Sequence, residues 1–105
     1  MSTRILVEIA LKRREVFRRL PDYLKIIKDT ARRLDPEAEV YMFGSVAGKN
    51  FNYSSDIDIL IITRTQPANV HLELWKAGVK DPFEVHVQTP EKALFYKARA
   101  KLVKV

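Results

Sequence analysis

The stretch Tyr41–Thr63, YMFGSVAGKNFNYSSDIDILIIT, decides the fold. A short apolar run closes in Gly44-Ser45, ten residues follow, and Asp56-Ile57-Asp58 opens a second apolar run from Ile59 to Ile62. Side chains along a strand alternate between its faces, so Asp56 and Asp58 are expected to point the same way, with Cα atoms roughly 7 Å apart. Like charges that close disfavour each other's ionisation unless a cation lies between them. A carboxylate pair at the head of a core strand suits one or two hard divalent ions, which prefer oxygen ligands.

Gly44-Ser45 supplies the other half of a site. Glycine allows close backbone approach and takes φ > 0 freely. Successive N–H groups in such a turn, with a serine hydroxyl, can hold phosphate oxygens. A phosphate cradle facing paired carboxylates is an arrangement for metal-assisted phosphoryl or nucleotidyl transfer. A hairpin with a long polar loop and two solvated aspartates is the bland alternative, and either half of the pattern alone would favour it. The two halves at this spacing, with apolar strands on both sides, favour the site.

FGSVAGKNFNYSSDIDILI, residues 43–61, resembles the signature of the DNA polymerase beta nucleotidyltransferase superfamily: Gly-Ser, about ten residues, then Asp-x-Asp between hydrophobic positions. The small chain and the Ser-Asp-Ile-Asp wording are most similar to the minimal nucleotidyltransferase (MNT) family of prokaryotes, which often pairs with a HEPN-domain partner in toxin–antitoxin systems. Many members carry Arg-Gly midway along the loop, where this chain reads Gly48-Lys49. Lys49 restores a charge there, as a point charge rather than a planar fork.

The rest of the chain reads around this centre. Residues 3–19 form a helix with Ile5, Ile9, Val16 and Leu20 on one face, although RILVEIAL also fits a short strand. Pro21 opens a second helix whose stripe is Leu20, Leu24, Ile27, Ala31 and Leu34, and Asp35-Pro36 ends it. Val40–Phe43 is a strand, and residues 44–55 are a polar loop in which Phe51 and Tyr53 anchor the loop or stack on a base. Ile57–Ile62 is apolar on both faces, as a central strand should be. Pro67–Ala77 is a helix capped by Gly78, with Trp75 as a core or interface anchor. FEVHVQ, residues 83–88, alternates with period two. Thr89-Pro90 starts a last helix running to about Lys101. The expected fold class is α/β (α+β): one nucleotidyltransferase-like domain over residues 1–105, a small mixed β-sheet with helices packed on it.

Composition narrows the function classes. The chain has no cysteine, hence no disulfide framework or thiolate metal site. No apolar run approaches 18 residues and the N-terminus is not a signal peptide, so no membrane association and a cytoplasmic location are expected. A net charge of +6 favours anionic partners, but no aromatic residues interleave with the basic ones, so nucleic acid is disfavoured. His86 reads as a hydrogen-bonded spacer and His71 as a surface residue, and neither forms a zinc pattern.

The resemblance implies a Mg²⁺-dependent enzyme. Asp56 and Asp58 would hold Mg²⁺ on the triphosphate of ATP or another nucleoside triphosphate, Gly44 and Ser45 would cradle it, and Lys49 would neutralise it. The superfamily places a third carboxylate on a later strand, and the only acid in FEVHVQ is Glu84. Asp56, Asp58 and Glu84 are thus the expected catalytic and metal-binding residues. Larger relatives add a domain for the second substrate; here the acceptor would be a HEPN toxin that receives AMP. An antitoxin acting by complex formation alone is the alternative, and a homo-oligomer is left open.

Overall fold

The computed structural model describes residues 2–49 and 52–105. Helices α1 (Thr3–Arg18) and α2 (Leu20–Leu34) precede strand β1 (Glu39–Phe43) and a one-turn helix, α3 (Gly44–Ala47). Then come β2 (Ile57–Ile62), α4 (Pro67–Lys76), β3 (Phe83–Gln88), α5 (Pro90–Arg99) and β4 (Val103–Lys104). The strands form one sheet in the order β3-β2-β1-β4. β2 and β3 are parallel, while β1 is antiparallel to both β2 and β4. This is the mixed sheet with packed helices that the sequence implies.

β2 is central because its side chains have apolar partners on both faces. Ile57, Ile59, Leu60 and Ile61 are fully buried, and each contributes roughly 1.5–3 kcal/mol of hydrophobic stabilisation. Ile57, Ile59 and Ile61 pack with Val40, with Ile27 and Ala31 of α2, and with Val70 and Leu74 of α4. Leu60 and Ile62 pack on the opposite face with Ala93 and Tyr96 of α5 and with Tyr41 and Phe43 of β1. Asp58 shares the parity of Leu60 and Ile62, so it belongs to the α5 face.

Local chemistry sets the helix ends. Asp35 takes an extended conformation after α2, and its carboxylate accepts from the Thr63 hydroxyl and the Glu37 N–H. Those two bonds, the hydroxyl's first, hold its carboxyl below the usual range. Gly78 follows the end of α4 at φ +92°, the left-handed position where glycine is favoured. Thr89 caps α5 by accepting from the Lys92 N–H, with Pro90 at the first helical position.

Four elements depart from the sequence reading. α1 is a helix, but of its expected face only Val16 is buried; Ile5 and Ile9 are exposed, because the first turns have no sheet beneath them. The polar loop begins with α3, a single turn too short to show helical periodicity. α5 ends at Arg99 rather than near Lys101, and the unexpected β4 pairs Tyr41 with Lys104 and Met42 with Val103. Two residues are too few for a period-two signal. Of the two roles expected for Trp75, core or interface anchor, its exposure removes the first, and the Lys80 ammonium lies 4.0 Å from its ring centroid.

Candidate functional site

The parallel pairing of β2 and β3 sets Asp58 opposite Glu84 and Leu60 opposite His86. Side chains two apart share a face, so Asp58, Glu84 and His86 emerge together on the α5 side. One ligand atom from each lies within 4.8 Å of the others. His86 Nε2 is 3.5 Å from Glu84 Oε1 and 4.0 Å from Asp58 Oδ1. Burial, and next the Glu84 carboxylate, push the Asp58 carboxyl above its ordinary range; His86 pulls it down slightly and Asp56 adds a further push.

Asp56 stands just before β2, is exposed, and does not join that group of three. Its Oδ1 is 3.7 Å from an Arg13 guanidinium nitrogen. Gly44 begins α3 directly after Phe43, the register partner of Asp58. At φ +76° it lies in the left-handed region, and the Asp58 carboxylate fills the space that a Cβ would need. The structure therefore brings Gly44, Asp58 and Glu84 together, with Ser45 exposed on the next position of α3. Lys49 is exposed at φ 60° beyond the turn, and its side chain makes no ion pair among the described residues. The loop aromatic Tyr53 packs edge-on against Phe17 of α1, ring centroids 5.5 Å apart, so it anchors the loop. Phe51, assigned the same choice of roles, lies outside the described residues.

Two residues acquire a place that the sequence reading did not give them. His86 bonds Tyr96, as a spacer would (Nδ1 3.2 Å from the hydroxyl), but it also faces both carboxylates. Its two-residue offset from Glu84 was the available signal. Arg13, one of several basic residues in α1, donates to the Tyr53 and Ser55 carbonyls and to both Asp81 carboxylate oxygens. No spacing distinguishes it from its solvated neighbours.

The donor set fits a divalent cation: the carboxylates of Asp58 and Glu84 with an imidazole nitrogen of His86 beside them, while Asp56 at the strand entrance stands outside this set. A cation there would offset the burial and the Glu84 charge that together raise the Asp58 carboxyl.

Among protein families, the model of the nucleotidyltransferase domain matches residues 24–104, from within α2 through β4. Comparison with curated proteins and with solved structures gives no match. The match spans most of the chain and contains Gly44, Ser45, Asp56, Asp58 and Glu84. The chain belongs to the nucleotidyltransferase domain family, consistent with the MNT branch of the polymerase beta superfamily that its Gly-Ser and Asp-x-Asp signature resembles.

Proposed function

We propose that the protein is a Mg²⁺-dependent nucleotidyltransferase that moves a nucleoside monophosphate, AMP from ATP, onto a hydroxyl of a partner protein. The observation that carries the reading is the adjacency of Asp58 and Glu84 across β2 and β3, with Gly44 against Asp58. Asp56 and Asp58 would hold the Mg²⁺ that accompanies the triphosphate, and Glu84 would join Asp58 as a further metal ligand. When bound, Mg²⁺ neutralises the phosphates and polarises the attacked α-phosphorus. Gly44 and Ser45 seat the triphosphate, and Lys49 lends its charge from the loop. The hydroxyl oxygen bonds to the α-phosphorus, the bond to the β-phosphate bridging oxygen breaks, pyrophosphate leaves, and the hydroxyl proton passes to solvent.

The partner is a HEPN-domain toxin, and the protein is its antitoxin. The MNT resemblance supports this choice. The test is transfer of label from α-labelled ATP to a candidate HEPN-domain protein, beside nucleotide titrations with and without Mg²⁺. Label that depends on Mg²⁺ and disappears in Asp58→Asn supports the reading; absence of Mg²⁺-dependent ATP binding overturns it. The Gly48-Lys49 wording, with Lys49 in no ion pair among the described residues, favours a second reading in which complex formation alone neutralises the partner. A stable complex without label transfer would establish that one.

A further inference from the structure

His86 is the one member of the carboxylate cluster that the proposed reaction does not use. Its ring is held in place from behind. Nδ1 lies 3.2 Å from the Tyr96 hydroxyl, and Phe43 stands edge-on to both rings, with centroids 5.2 Å from His86 and 5.7 Å from Tyr96. If Nδ1–H donates to the Tyr96 oxygen, the lone pair of Nε2 faces Glu84 and Asp58. Metal-bound histidines are oriented this way, with the second ring nitrogen donating to a fixed partner.

The spacing fits coordination. Bonds of about 2.1 Å to one ion place neighbouring ligand atoms about 3 Å apart and opposite ones about 4.2 Å apart. The Nε2 separations of 3.5 and 4.0 Å fall between those limits. Glu84 is the most exposed of the three side chains, so it is the one free to adjust.

Building on the nucleotidyl-transfer reading, we propose that His86 is a metal ligand. Asp58, Glu84 and His86 then form a centre with two oxygen donors and one nitrogen donor. Imidazole favours borderline transition ions, whereas Mg²⁺ is bound mainly through oxygen and keeps several waters. The centre therefore takes Co²⁺ or Zn²⁺ in preference to Mg²⁺, with Mn²⁺ serving as a spectroscopic probe, while the ion on the triphosphate, held by oxygen alone, stays Mg²⁺.

The test uses the whole chain without a partner. Mn²⁺ bound to the protein, read by pulsed electron paramagnetic resonance, is expected to show coupling to an imidazole ¹⁴N that His86→Asn and His86→Gln both remove. Equilibrium dialysis is expected to show at least a tenfold loss of Co²⁺ affinity in His86→Asn and less than a twofold change for Mg²⁺. Tyr96→Phe is expected to weaken Co²⁺ severalfold. Bound Mn²⁺ with no nitrogen coupling in the parent overturns the proposal, as do equal losses for Co²⁺ and Mg²⁺. Because the coupling is measured on the parent, a variant that fails to fold does not blunt the test. Mg·ATP binding is assayed on the same samples: intact nucleotide binding without nitrogen coupling defeats the His86 proposal alone, and coupling without nucleotide binding defeats the transferase reading alone.

Discussion

Gly44 and Asp58 are in contact where β1 gives way to α3, with the aspartate carboxylate in the space a side chain on Gly44 would occupy. The glycine is required twice, for its φ of +76° and for that vacant volume. Gly44→Ala is expected to cost about 1–2 kcal/mol for the left-handed conformation alone. It should lose more by displacing Asp58, with metal affinity falling together with stability. Gly78→Ala is the control: its φ is +92°, but a Cβ there meets nothing within 4 Å. Urea unfolding and Mn²⁺ titration of the two variants check this, with Gly78→Ala losing stability and keeping metal affinity. Equal effects on metal affinity would mean that the Gly44–Asp58 contact is not part of the site.

Asp58 and Asp56 should respond oppositely to neutralisation. Burial and the Glu84 charge raise the Asp58 carboxyl in the metal-free fold. An acid raised in the folded state gives relative stability that is complete below its unfolded pKa and is lost as pH rises through the folded value. In EDTA at neutral pH, Asp58→Asn should therefore be more stable than the parent, with the gap closing as pH falls through the raised pKa. Asp56→Asn loses a 3.7 Å approach to Arg13 and should show no such gain. Melting curves at pH 7 and pH 4 decide it. With metal and ATP added, both variants should bind Mg·ATP at least tenfold more weakly, as expected from losing a ligand; unchanged binding in both would remove the metal assignment.

Glu84→Gln tests the third carboxylate. The side chain is more than half exposed and its backbone lies in paired strand, so the substitution should leave the fold unchanged. Mg·ATP binding should persist through Asp56 and Asp58 while label transfer is lost. Unchanged transfer would return Glu84 to the surface.

The centre of the fold was legible because β2 is apolar on both faces and β3 alternates, and each pattern needs only five or six residues to declare itself. The same periodicity placed Glu84 on the polar face of β3; what it could not give was the parallel register that sets Glu84 opposite Asp58. α3 and β4 left no trace because neither is long enough to repeat a pattern. The exposure of the first turns of α1 has another cause: an amphipathic helix predicts a face, not whether the sheet extends far enough to receive it.

Arg13 is less legible still, since its role depends on contacts forty and more residues away. The side chain is 14 % exposed, and its planar fork joins two segments. Nε and one terminal nitrogen donate to the Tyr53 and Ser55 carbonyls just before β2, at 2.9 and 2.7 Å. The other terminal nitrogen reaches both Asp81 oxygens just before β3, at 2.8 and 2.9 Å. α1 thus ties together the entrances of the strands that carry Asp58 and Glu84, although Arg13 lies outside the matched residues 24–104. Arg13→Ala should destabilise the protein by about 1–3 kcal/mol, the charged hydrogen bonds being discounted because Asp81 is largely solvated. Arg13→Lys should recover only part, because an ammonium cannot span three acceptors in a fixed plane. Hydrogen exchange at the amides of residues 53–57 should accelerate in both variants, and Mn²⁺ affinity should fall with it. If exchange there is unchanged in Arg13→Ala, α1 does not hold the strand entrances and the loss of stability is ordinary surface repacking.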